Sequence, residues 1–118
     1  MNLDFQDDFT RILTKIQESG LEYSEAKAKS WYAQEMCSSI KSSIMLKALS
    51  EDSKMPQVKA EMIARASEDY KKHLEETREA IRKENETRAL YKYWECSFEA
   101  KRSLSSLEKR TQQLIDGE

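Results

Sequence analysis

Chain breakers are almost missing from this sequence. Its 118 residues hold two glycines, Gly20 and Gly117, and a single proline, Pro56. A glycine-rich loop that cradles phosphate is therefore excluded in practice, and no Walker or G-x-S-x-G motif is present. There is one histidine, His73, and the two cysteines, Cys37 and Cys96, are too far apart for a C-x-x-C pair. Without a second histidine or such a pair, no structural zinc site is expected. No run approaches the roughly 20 apolar residues of a membrane span. A basic surplus is missing too. The net charge is −2, which argues against nucleic-acid binding driven by overall charge.

Charge of both signs is plentiful: 36% of residues are Asp, Glu, Lys or Arg, against 38% apolar. An ordinary domain carries about 25% charged residues. A thin core spread along salt-bridged helices is implied. The stretch Ser67–Ile115 shows this most clearly. It contains no Gly or Pro, and nearly half its positions are charged. Nothing breaks it and most of its residues favour helix. As one helix it would run roughly 70 Å. A compact domain of this size cannot cover such a rod, so part of it needs a partner or stands in water.

The pattern predicts an all-α fold: a helical hairpin or bundle of three to four helices, ending in a very long coiled-coil-like helix. The first helix, about 4–19, sets Phe5, Phe9, Ile12, Leu13 and Ile16 on one face. Asp4, Asp7 and Asp8 lie in its first turns, where the helix dipole favours acids, and Gly20 is expected to stop it. A second, about 23–49, starts at Ser24 as N-cap. Its seam is Ala26, Ala33, Cys37, Ile40 and Ile44, with Trp31 and Met36 on the flank. The loop 50–56 holds Pro56, suited to the first turn of the next helix. The short helix 57–66 should turn Val58, Met62 and Ile63 inward, with Ala60, Ala64 and Ala66 packing closely. A kink or short break is expected at Ser67–Asp69, before the long helix 67–115.

Along that long helix the inward positions read Tyr70, Leu74, Thr77 and Ala80 or Ile81. The polar run Arg82–Arg88 follows. It is either exposed helix, or it turns Asn85 and Arg88 to a partner and sets its register. The stripe resumes at Tyr91, Trp94 and Phe98 and is expected to continue through Leu104, Leu107, Thr111 and Leu114.

No residue set calls for catalysis, a cofactor or a metal. His73 shares a helix face with Asp69 and Glu76, but the paired Glu-x-x-His motifs of di-iron bundles are absent. A surface histidine among salt bridges explains it better. Cys37 and Cys96 read as reduced, half-buried small apolar residues. One constellation can contact a partner: Arg88, Lys92, Tyr93, Lys101 and Arg102. Aromatics interleaved with cations can stack bases and hold phosphates. From Arg88 to Arg110 six cations face three acids, whereas Met1–Ala26 carries six acids and two cations. Tyr91, Trp94 and Phe98 are expected in the core; Tyr93 lies off their stripe.

Ala60–Ser106 resembles a group of small α-helical proteins of tailed phages and prophages, encoded among recombination and single-strand-annealing genes. The shared look is an alanine-rich turn before Ser67, Tyr70 and Leu74. A charged helix follows, then an aromatic and the run Phe98, Glu99, Ala100, Arg102, Ser103. The resemblance implies a phage or prophage origin and a role near DNA processing, and it carries over no catalytic residue.

The sequence thus predicts a non-enzymatic helical interaction module, forming a homo-oligomer (dimer or higher) and binding a protein partner, in DNA recombination or replication. Two alternatives stand beside it: a direct single-stranded nucleic-acid binder using 88–102, and a phage inhibitor of a host defence nuclease. The acidic start is unlike a leader, and with no span for a membrane the expected location is the cytoplasm of a bacterial host cell.

Overall fold

The computed structural model describes the backbone of residues 2–117 and the side chains of residues 7–117. Three helices account for almost all of it: α1 (Asn2–Glu51), α2 (Gln57–Ala66) and α3 (Glu68–Asp116). No strand occurs among the described residues. Contacts divide the chain into two units, one of residues 1–23 with 86–118 and one of residues 24–85.

The long C-terminal helix is uninterrupted through Arg82–Arg88, as a stretch without breakers should be. Its start is where the break was expected. Ser67 is extended, with φ −64° and ψ 136°, and its Oγ accepts from the Tyr70 N–H at 3.4 Å. Glu68 and Asp69 occupy the first turn, on the favourable end of the dipole. At the other connection, Asp52 Oδ1 accepts from the Lys54 N–H at 3.1 Å. Such an Asx turn competes with helix and ends α1. Pro56, with φ −63°, serves as the N-cap of α2, one position ahead of the first turn.

In the first unit the start of α1 packs against the end of α3. Phe9 meets Phe98 edge-to-face at 5.8 Å, and Tyr23 stacks on Tyr91 at 6.1 Å. Ile12, Ser19 and Thr87 are buried between them. The Ser19 hydroxyl lies 2.6 Å from the Lys15 carbonyl of its own helix, so burying it leaves no donor unpaired. Asp8 and Lys101 close this unit with a 2.6 Å ion pair.

Gly20 does not end a helix. It sits inside α1, and no positive φ occurs among the described residues. The reason is close approach: a Cβ added there would meet Tyr91 Cε2 at 3.2 Å. Ser24, the expected cap, is an exposed mid-helix residue. The two N-terminal helices of the sequence reading are therefore one, and the described residues form three helices. The side chains of Asp4 and Phe5 lie outside the described residues.

In the second unit the rest of α1, α2 and the start of α3 pack through small residues. Ala26, Ser30, Cys37, Ala48, Ala60, Ala64 and Thr77 are buried. The expected α1 seam is present, with Ser30 as an unforeseen member. Ala80, half-buried, takes the inward place and Ile81 is exposed. The short helix α2 is turned over relative to expectation. Ala60 and Ala64 face inward, while Val58, Met62, Ile63 and Ala66 are exposed. Alanines let the helix backbones approach closely, and Glu61 on the same side reaches Lys41 of α1 at 3.1 Å. Leu13 of α1, expected inward, is likewise exposed, and so is Cys96 of α3, expected half-buried.

Candidate functional site

The five contact residues read from the sequence do not converge. Arg88 is half-buried, its Cζ 5.9 Å from the centre of the Tyr23 ring, a cation–π distance. The Lys101 ammonium is held by Asp8. That hydrogen bond and charge, with a further pull from Arg11, hold the Asp8 carboxyl below its ordinary 3.8. Arg102 pairs with Glu99 one turn back, at 3.2 Å. Lys92 and Tyr93 are exposed, and Tyr93 leans edge-on against Trp94 at 5.1 Å. At 100° per residue, Arg88 and Arg102 share a face, Lys92 lies about 60° away, and Tyr93 points to the opposite side. Three of the four cations are thus engaged within the fold, and the aromatic residue faces elsewhere.

His73 sits between Glu76, 3.4 Å from Nδ1, and Asp69, 3.8 Å from Nε2. No group of three or more His, Cys, Asp or Glu placed to hold a metal occurs among the described residues. No helix among them is long and apolar enough to cross a membrane.

What both units do present is uncovered apolar surface. Among the described residues the largest fully buried side chain is only Ser30. In the second unit Trp31, 65% exposed, and Tyr32 stand on the outer side of α1. Tyr32 and Met36 line a groove of about 300 Å³ with Ala33, His73, Glu76 and Thr77. In the first unit the apolar stripe of α3 divides. Tyr91, Trp94 and Phe98 continue inward through Lys101 and Ser105, all half-buried. Leu104, Leu107 and Leu114 depart from that seam and are 58%, 60% and 75% exposed. The cause is register. From Phe98 the inward 3–4 spacing runs to Lys101 and Ser105, so the leucines fall about 100° to one side. Leu90 and Tyr93, also exposed, stand at the same side of the helix.

Tyr32 and Leu90 were not singled out from the sequence. The signal for Leu90 is there: it lies three before Tyr93, and the same 3–4 spacing runs on to Leu114. It is masked by Tyr91, which starts the inner seam one residue later. Comparison with known protein families, characterised proteins and solved structures finds no match to this chain.

Proposed function

We propose that the chain is a non-enzymatic helical protein–protein interaction module that works as a homo-oligomer. One observation carries this reading: large apolar side chains stand exposed along helix faces of both units, while no large side chain among the described residues is fully buried. A monomeric domain normally reverses that balance. Full burial of a leucine contributes about 1.5–3 kcal/mol, so covering Leu104, Leu107 and Leu114 is a substantial driving force for association. Mass in solution tests it. Light scattering should give a particle heavier than the 13.8 kDa chain. A single-chain mass throughout the micromolar range contradicts it.

A setting in phage DNA recombination or replication is supported by the resemblance of Ala60–Ser106 alone. It is tested by recombination frequency in a phage with and without this chain. Direct single-strand binding has weaker support, because Arg88, Lys101 and Arg102 are committed within the fold. A labelled oligonucleotide at about 50 mM salt, where phosphate contacts are strongest, tests that alternative. Inhibition of a host nuclease shares the interaction-module geometry and is read by nuclease activity in the presence of the chain.

A further inference from the structure

The groove between α1 and α3 in the second unit has a floor and two walls of different chemistry. Its floor is Ala33 and Thr77, small residues through which the two helices meet. The Thr77 hydroxyl is shared between the Ala33 and His73 carbonyls, so it offers no free donor to the groove. Larger neighbours stand on either side. Tyr32 and Met36 of α1 form one wall, and His73 and Glu76 of α3 the other. Tyr32 is 62% exposed, and Met36 and Glu76 are exposed as well. Small residues at the contact with large ones beside them leave an open trough of about 300 Å³.

The α3 edge of this trough is acidic. Glu76 Oε2 lies 3.4 Å from His73 Nδ1. Among the described residues no other hydrogen bond or ion pair engages the Glu76 carboxylate, so its second oxygen is left for a ligand. Asp69, one heptad earlier on the same helix face, lies 3.8 Å from Nε2 of the same imidazole. The neighbouring cations Lys29, Lys72 and Arg78 do not line the groove.

We propose that this groove binds an arginine side chain of a partner protein. The Ala33 and Thr77 floor and the Met36 thioether suit its methylene stem; methionine adapts to irregular shapes and recurs on binding surfaces. The Tyr32 ring offers a face to a planar guanidinium. The Glu76 carboxylate accepts from the N–H fork, a charge-assisted pair. An acidic edge repels phosphate, which sets aside nucleic acid and anionic lipid as occupants. Arginine anchors seated in pockets commonly carry much of the binding energy between proteins. No residue of the α3 leucines enters this site, so it is independent of self-association.

Two blocked tripeptides test this on the whole chain: alanine–arginine–alanine, and the same peptide with neutral citrulline in place of arginine. The arginine peptide should bind with a dissociation constant of about 1 mM. It should move the NMR signals of the Met36 methyl, the Tyr32 ring and the Ala33 and Thr77 amides. The citrulline peptide should bind about tenfold more weakly. Glu76→Gln should weaken arginine binding about tenfold, and Tyr32→Ala about threefold. Glu75→Gln should leave it unchanged, because Glu75 is turned about 100° away and pairs with Arg78 at 2.9 Å. Helix content by circular dichroism should be the same in all three variants, since each side chain is exposed. Equal shifts from the two peptides overturn the inference. Undiminished binding by Glu76→Gln does so too, as does an unmoved Met36 methyl at about 20 mM arginine peptide. The light-scattering mass is a separate reading. A monomer that passes the peptide test keeps this inference and loses the oligomer, and an oligomer that fails it loses this inference alone.

Discussion

The hydroxyl of Thr77 on α3 lies 3.1 Å from the Ala33 carbonyl of α1 and 2.8 Å from the His73 carbonyl of its own helix. A threonine hydroxyl can share its proton with a neighbouring helix backbone only where the facing residue is small. Thr77→Val keeps the shape and removes the shared donor. It should cost about 0.5–1.5 kcal/mol in urea denaturation. Ala33→Leu forces the two helices apart and should cost about 1–3 kcal/mol. Equal stability of Ala33→Leu and wild type would remove the close approach.

Gly20 gives a prediction that changes sign with its neighbour. An alanine in mid-helix is worth about 1 kcal/mol over glycine. Here its Cβ would press on the Tyr91 ring, which is itself stacked on Tyr23. Gly20→Ala should therefore gain little or lose stability, and Gly20→Val should lose about 1–3 kcal/mol by overpacking. With Tyr91→Ala in the background, Gly20→Ala should gain about 1 kcal/mol. Thermal unfolding of the four chains in this cycle checks it.

The inverted face of α2 predicts an unusual hierarchy. Ala64 is fully buried and Val58 largely exposed. Ala64→Leu should destabilise by about 1–3 kcal/mol. Val58→Ser should stay within about 0.5 kcal/mol. The reverse order in urea denaturation would restore the orientation expected from hydrophobicity.

Acid should loosen both units. The Lys101 hydrogen bond lowers the Asp8 carboxyl, and those of Lys41 and Arg65 lower Glu61. The Arg82 hydrogen bond does the same to Glu79. A carboxyl depressed in the folded state stabilises it fully above its ordinary pKa. That contribution is lost as pH falls through the depressed value. Stability owed to these groups should thus hold at neutral pH and decline below the ordinary values of 3.8 and 4.5. Asp8→Asn should shrink the decline. A urea midpoint unaffected by this change at acid pH would show that the Asp8–Lys101 pair does not contribute.

Helix type was legible because so little interrupts it: Ser67 and Pro56 mark the real boundaries, and the run Arg82–Arg88 holds no breaker. Gly20 misled because a glycine fits both a helix end and a close contact, and only the Tyr91 ring across from it decides. The same limit applies to α2. Val58 and Met62 read as a core face until the alanine face is seen to carry Glu61 towards Lys41. The inner seam was partly hidden because Ser19, Ser30 and Thr87 are hydroxyl residues, buried where their protons can be taken by the helix backbone or their bulk is small enough. Of the contact residues, Tyr93 was rightly placed off the inner stripe. The facing directions of Arg88, Lys101 and Arg102 follow from Tyr23, Asp8 and Glu99, which local sequence does not bring together for the first two.

The central claim is that the uncovered end of α3 is covered by another chain. Amide hydrogen exchange over residues 106–116, followed across the micromolar range, tests it most directly. Protection that rises with protein concentration, and that the Leu104→Asp, Leu107→Asp variant lacks, is the predicted result. Fast exchange in this segment at every concentration contradicts it.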